Sequence, residues 1–154
     1  MSLFEESFET FAKDQAEKDV HIRFIGQRER LPETLQQKMK ETEEKTAGGK
    51  NGIFTIAISY GGRAEIVAAA NKLLSSGVTS VDEEGFRNAM WSAGLAYPDL
   101  IIRTGGDQRL SNFLCWQSAY SELFFVKTKW PAFTKAEFDS ILADYASRER
   151  RLGK

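Results

Sequence analysis

Apolar positions recur along the chain at two alternating spacings. Phe4, Phe8, Phe11 and Ala12 fall on one helical stripe and predict an amphipathic helix over residues 3–18. Val20, Ile22 and Phe24 then alternate with His21 and Arg23 up to Gly26, the period of a strand. Residues 32–46 return to helical spacing: Pro32 suits a first turn, Leu35 and Met39 share a face, and Gly48-Gly49 stop the run. Ile53–Ile58 is short and nearly all apolar, as in a strand covered on both faces. Ile66, Val67, Ala70 and Leu74 predict a helix over 63–75. Ser80-Val81-Asp82-Glu83 reads as a capping box for a shorter helix reaching Trp91. Asp99–Arg103 reads as a strand, 111–120 as a helix and Glu122–Val126 as a strand. Thr134-Lys135-Ala136-Glu137 is a second capping box, opening a helix with Phe138, Ile141, Leu142 and Tyr145 inward.

Strands that alternate with helices predict an α/β fold, a parallel sheet flanked by helices on both faces. There is no internal repeat. The polar stretch Lys40–Asn51 reads as a helix end and its loop. Such a domain ordinarily begins with a central strand, whereas this chain opens on a helix, which suggests strands missing from the front.

Composition narrows the function classes. The 154 residues amount to one domain with room for a core, and 42% of them are apolar. Twenty-one basic and 22 acidic residues leave a net charge of −1, which argues against nucleic-acid or membrane-surface binding. One histidine, His21, and one cysteine, Cys115, exclude a Cys/His zinc site and an intrachain disulfide, and they fit a cytoplasmic protein. No apolar run approaches the roughly 20 residues of a membrane-spanning helix. The acidic start (Glu5, Glu6, Glu9) is unlike a secretory signal.

The chemistry gathers between residues 99 and 122. In an open parallel sheet, ligands sit beyond the carboxyl ends of the strands, and Arg103 is expected to end one. Thr104-Gly105-Gly106 is a turn without bulky side chains, which would let backbone N–H groups approach an anion. Arg109 follows six residues after Arg103, and Ser111 and Asn112 stand where the next helix is expected to begin. Two guanidiniums, a hydroxyl and a helix N-terminus within nine residues suit a diphosphate. Glu122 and Asp107 offer carboxylates to an accompanying Mg²⁺. Each member has a plain structural alternative: an ion-paired arginine, an ordinary turn, a cap, a surface carboxylate. It is the joint arrangement that points to an anion site. Asp99 and His21 read as structural. Tyr60-Gly61-Gly62-Arg63 reads equally as a second phosphate-facing turn or a tight connection, and Trp91, Trp116 and Trp130 as core or interface residues.

Arg103-Thr-Gly-Gly-Asp-Gln-Arg-Leu-Ser-Asn-Phe113, continuing through Trp116-Gln117 and Ala119-Tyr120 to Glu122-Leu-Phe-Phe125, resembles the signature of cis-prenyltransferases of the undecaprenyl diphosphate synthase kind. Ile22-Arg-Phe-Ile-Gly26, Ser59-Tyr-Gly-Gly-Arg63, Trp130-Pro131 with Phe133, and Arg148-Glu-Arg-Arg-Leu-Gly153 match the same family in the same order. The resemblance implies an undecaprenyl diphosphate synthase-like parallel sheet between helices, and a homodimer. The implied reaction adds isopentenyl diphosphate head-to-tail, with Mg²⁺ and cis geometry, to an allylic diphosphate such as farnesyl diphosphate. The product would be a long carrier lipid for cell-wall precursors, and the protein could be peripheral to the membrane through that lipid. Carried over by motif, Arg103, Arg109 and Ser111 bind the diphosphate of isopentenyl diphosphate, Gly105 and Gly106 shape the loop, and Asn112 supports it. Glu122 belongs to the metal site, and Arg151 and Gly153 to a tail that completes the partner subunit's site. The chain departs from the family at Asp107, where Glu is frequent, and at Gln108, where some members carry His.

Family members also carry an Asp-Gly-Asn-Gly-Arg-Trp motif, whose Asp holds Mg²⁺, and a Ser-x-Glu-Asn-Trp-type segment. Neither occurs in these 154 residues. The resemblance therefore implies that residues 1–154 are the C-terminal two-thirds of a single domain, truncated at the N-terminus, with the catalytic Asp missing and the chain alone inactive. The alternative is a non-catalytic diphosphate-binding subunit or interaction module of a heteromeric cis-prenyltransferase.

Overall fold

The computed structural model describes residues 13–15 and 17–148. Of the helix expected over 3–18, residues 13–15 and 17 are helical, and the remainder up to residue 16 lies outside the described residues. Residues 149–154, with Arg151 and Gly153, lie outside them too. The chain forms two compact units, one up to Ser92 and one from Ala93.

In the first unit, β1 (His21–Ile25) pairs in parallel with β2 (Ile53–Ala57), in the register Ile22↔Phe54 and Phe24↔Ile56. The intervening helix α1 (Glu33–Thr46) lays Met39 on Ile22 and Phe24, with Leu31, Leu35, Ile56 and Ile58 around them. Ile22, Phe24 and Met39 are essentially closed to solvent. Helix α1 also closes an edge of β1: Thr46 Oγ1 accepts from the Ile22 amide at 3.0 Å and Glu43 Oε1 from the Phe24 amide at 2.8 Å. Glu43 in turn holds the Arg28 guanidinium at 2.5 and 2.8 Å. Pro32 stands at the N-cap position, one residue before the first turn it was expected to occupy.

Strand β2 differs from expectation. Ile53 and Phe54 stay 52% and 44% exposed, so this apolar run is not covered on both faces. The cluster on α1 reaches Ile56 and Ile58 but not the start of the strand. At the other end the backbones close tightly. Gly26 has φ +126°, and a Cβ there would stand 2.0 Å from the Ile58 carbonyl oxygen.

Helix α2 (Gly62–Ser75) buries Gly62, Glu65 and Ala69, while Val67 and Leu74 are exposed. The expected stripe is thus rotated, because a carboxylate rather than an alkyl group faces inward. Glu65 Oε1 accepts from the Ser92 amide at 2.8 Å and the Ser92 hydroxyl at 2.7 Å, and its Oε2 from the Tyr60 hydroxyl at 2.5 Å. Helix α3 (Glu83–Ala89) packs on α2 and is capped by Asp82, which accepts from the Gly85 amide at 2.8 Å. The cap is therefore two residues later than the Ser80 box implied, and the helix ends before Trp91. Trp91 instead meets Tyr60 edge to face, with centroids 6.2 Å apart.

In the second unit, β3 (Leu100–Arg103) pairs in parallel with β4 (Glu122–Phe125), in the register Leu100↔Glu122 to Arg103↔Phe125. The connection contradicts the helix expected over 111–120, since it is a succession of turns and bends. Ser111, Asn112 and Leu114 take φ of +48°, +66° and +45°. Three L-residues in the left-handed region preclude a right-handed helical ladder. Ser and Asn tolerate this by bonding locally, which helical spacing of apolar residues does not reveal. Helix α4 (Lys135–Ser147) begins at the predicted cap, with Thr134 Oγ1 accepting from the Glu137 amide at 3.2 Å. Ile141 is buried and Tyr145 half-buried, but Phe138 and Leu142 are exposed, contrary to the predicted inward face. Trp130 is 75% exposed and stacks on Phe133, which places it outside any core.

The fold is α/β, with parallel strand pairs flanked by helices. Among the described residues no helix is long and apolar enough to cross a membrane.

Candidate functional site

Strand β3 delivers Arg103 to its carboxyl end, and the turns after it bring the other predicted residues back. One guanidinium nitrogen of Arg103 donates to Ser111 Oγ at 2.7 Å and to the Arg109 carbonyl. The second donates to Asp107 Oδ2 at 3.0 Å. Arg109 donates to the same Asp107 oxygen at 2.7 Å. Arg103, Arg109 and Ser111 are thus brought together around one carboxylate. The cluster is open to solvent, the side chains of Arg103, Asp107 and Arg109 being 25%, 47% and 65% exposed.

Two predicted contributions change. The Gly105 and Gly106 amides do not face an anion; they donate to the Thr128 and Val126 carbonyls, each at 2.9 Å. Their role is conformational, with φ of +97° and +90°, a region open to glycine without strain. Ser111 brings its hydroxyl but not a helix N-terminus, so no helix dipole adds to the site. Asn112 Oδ1 accepts from Cys115 Sγ at 3.5 Å and shapes the same turns. Gln108 is exposed.

Glu122 is in a different setting. Its Oε2 accepts from Arg148 at 2.7 Å, and the Arg148 guanidinium also bonds Asp144 and stands 4.1 Å from the Phe124 ring centroid. Asp144 first, and then Glu122, raise the Arg148 pKa above its ordinary value by hydrogen bonding to the cation. Among the described residues no three of His, Cys, Asp and Glu gather where a metal could be held. With Glu122 on Arg148 and Asp107 on two arginines, the described residues do not by themselves fit a Mg²⁺ site.

Asp99 acts through its backbone, its carbonyl accepting from the Glu122 amide at 2.9 Å. The backbone of His21 lies in the β1 ladder, paired with Ile53. Tyr60-Gly61-Gly62-Arg63 opens α2 and connects it, through Tyr60, to Glu65. Trp116 is half-buried and donates from its indole nitrogen to the Tyr97 hydroxyl at 2.9 Å. Sequence reasoning missed Arg148 as the partner of Glu122 and Asp107 as the partner of the arginine pair. An acidic residue four after one arginine and two before another was the available signal.

The undecaprenyl diphosphate synthase family matches residues 1–153. The chain belongs to that family. An isoprenyl transferase of Chromobacterium violaceum is 40% identical over 154 residues, covering the whole of this chain and 61% of that protein. A probable undecaprenyl diphosphate synthase from Campylobacter jejuni superposes with a TM-score of 0.83 at 34% identity, over 97% of this chain and 72% of the other. Lavandulyl diphosphate synthase from Lavandula x intermedia, solved with dimethylallyl diphosphate, gives a TM-score of 0.86 at 32% identity, over 100% and 73%. The chain therefore belongs to a family of transferases, and it spans about three-fifths of the length of the curated relatives it matches.

Proposed function

We propose that this chain carries the isopentenyl-diphosphate-binding half of a cis-prenyltransferase site, with Arg103, Arg109 and Ser111 as the groups that grip the diphosphate. The observation that carries this reading is the meeting of both guanidiniums on one oxygen of Asp107, with the Ser111 hydroxyl on Arg103. A cluster that already holds one oxyanion has donors aimed at a common point and solvent access for a larger one. At about 1.5–3 kcal/mol for each charge-assisted hydrogen bond, a few such contacts hold a small diphosphate without a large apolar pocket.

The reaction in this reading joins isopentenyl diphosphate to an allylic diphosphate such as farnesyl diphosphate, with cis geometry, towards a polyprenyl carrier of cell-wall precursors. Mg²⁺ belongs to it as the counter-ion that accompanies a diphosphate. A homodimer, in which Glu122 and the Arg151-Leu152-Gly153 tail lie near the partner, and a cytoplasmic protein peripheral to the membrane through its lipid product complete the proposal. Without an Asp-Gly-Asn-Gly-Arg-Trp stretch in its 154 residues, this chain by itself is expected to bind but not to condense. The other reading, a non-catalytic diphosphate-binding subunit of a heteromeric enzyme, keeps the same anion site and differs in what the partner supplies.

Calorimetric titration with isopentenyl diphosphate is the test. Binding by the wild type, lost in the Arg103→Ala/Arg109→Ala double variant, is the expected result; equal binding by both overturns the site. Labelled polyprenyl product from the purified chain with farnesyl diphosphate and Mg²⁺ would refute the expectation of inactivity.

A further inference from the structure

Asp107 occupies the place where the ligand's charge belongs. Among the described residues it is the one carboxylate on either site arginine, and a single oxygen, Oδ2, serves both guanidiniums at 3.0 and 2.7 Å. Without it, two cations close enough to share one oxygen would repel each other and turn outward. The Arg109 pair is solvent-exposed, with Arg109 at 65% and Asp107 at 47%, and the Arg103 pair is partly so, with Arg103 at 25%. Ion pairs of that kind are screened by water and easily exchanged. The Asp107 side chain is short and sits on the same loop as Arg109, so releasing it to solvent requires a rotamer change and no rearrangement of the β3–β4 ladder.

We propose that Asp107 is a built-in placeholder anion, which holds Arg103 and Arg109 convergent in the ligand-free protein and is displaced when a diphosphate arrives. This rests on the diphosphate-site reading above. Two linked phosphoryl groups offer several acceptors to the two guanidiniums and to Ser111, where Asp107 offers both arginines one oxygen. The outcome is decided by the number and charge of those contacts. Asp107 therefore lowers the affinity of the site by competing for it, while sparing the free protein an unpaired pair of cations. Asp107 is in this sense a positioning residue, acting through the arginines.

The test uses inorganic pyrophosphate as probe and the whole 154-residue chain, with the wild type, Asp107→Asn, Asp107→Glu and the Arg103→Ala/Arg109→Ala double variant. Asp107→Asn is expected to bind pyrophosphate about tenfold more tightly than wild type, the scale of one exchanged charged contact. Asp107→Glu, which restores a competing carboxylate, is expected to return towards the wild-type value. In carbon-detected NMR of the wild type, the Asp107 carboxylate resonance is expected to move to that of a solvated aspartate as pyrophosphate saturates the site. Equal or weaker binding by Asp107→Asn, with thermal melting unchanged and the arginine double variant still impaired, overturns the placeholder and leaves the anion site standing. If Asp107→Asn proves unfolded, an unmoved carboxylate resonance in the saturated wild type overturns it alone. Pyrophosphate binding that the arginine double variant does not reduce removes the site itself, and the placeholder with it.

Discussion

The Ser92 hydroxyl donates to Oε1 of Glu65 at 2.7 Å, joining two residues 27 positions apart around a carboxylate that is closed to solvent. A buried carboxylate is tolerable only while its acceptors are satisfied, and here the Ser92 amide, the Ser92 hydroxyl and the Tyr60 hydroxyl meet it. Glu65→Leu strands those donors and is expected to cost about 3 kcal/mol, with Glu65→Gln in between. Urea unfolding of the three proteins measures this, and a loss below about 1 kcal/mol for Glu65→Leu would show the network to be dispensable.

Gly26 and Gly105 both take positive φ but for different reasons. A Cβ at Gly26 meets the Ile58 carbonyl at 2.0 Å, whereas one at Gly105 meets nothing within 4 Å. Gly105→Ala is expected to lose only the conformational penalty, about 1 kcal/mol. Gly26→Ala must also push two strands apart and is expected to lose clearly more. Thermal midpoints in the opposite order would contradict both assignments.

Ile22 and Leu74 read alike in the sequence, each an alkyl side chain on a predicted apolar face, yet Ile22 is fully buried and Leu74 is 72% exposed. Truncating Ile22 to Ala opens a cavity and is expected to cost about 2–4 kcal/mol. Leu74→Ser should stay within about 0.5 kcal/mol of wild type. Denaturant midpoints separate the two, and similar losses would mean that α2 is rotated from the orientation Glu65 gives it.

Arg148 couples strand to helix, bonding Glu122 at the head of β4 and Asp144 on α4. A double-mutant cycle of Arg148→Gln with Glu122→Gln is expected to give a favourable coupling that shrinks as ionic strength rises, since both groups reach solvent. A coupling near zero, or one insensitive to salt, would show that this ion pair does not tie β4 to α4 electrostatically.

Much of this architecture was legible where local chemistry decides it. Alternation around Ile22 and Phe24, the Leu35–Met39 stripe and the Thr134 cap each placed an element within a residue or two. Reading failed where a side chain or a backbone angle overrode the pattern. Glu65 lies outside the Ile66–Val67–Ala70–Leu74 stripe that predicted the helix, and its donors come from Tyr60 and from Ser92, far along the chain, so the rotation of α2 could not be read locally. Ser111, Asn112 and Leu114 all take left-handed conformations, of which the pattern over 111–120 carried no sign, and Ser111 and Asn112 are bonded by Arg103 and Cys115. In the site, the convergence of Arg103, Arg109 and Ser111 was foreseen. That the glycine amides are spent on residues 126 and 128, and that Glu122 meets a guanidinium, required distances.

Because the Gly105 and Gly106 amides are tied to the Thr128 and Val126 carbonyls, neither is open to a ligand in the proposed anion site, which leaves the Arg103, Arg109 and Ser111 side chains as its donors there. Rotamer exchange at an exposed surface runs on the picosecond-to-nanosecond scale, far faster than loop opening. If the proposed site takes up a diphosphate, diffusion steered by the two arginines would govern how quickly it fills, with viscosity rather than backbone motion as its natural speed control.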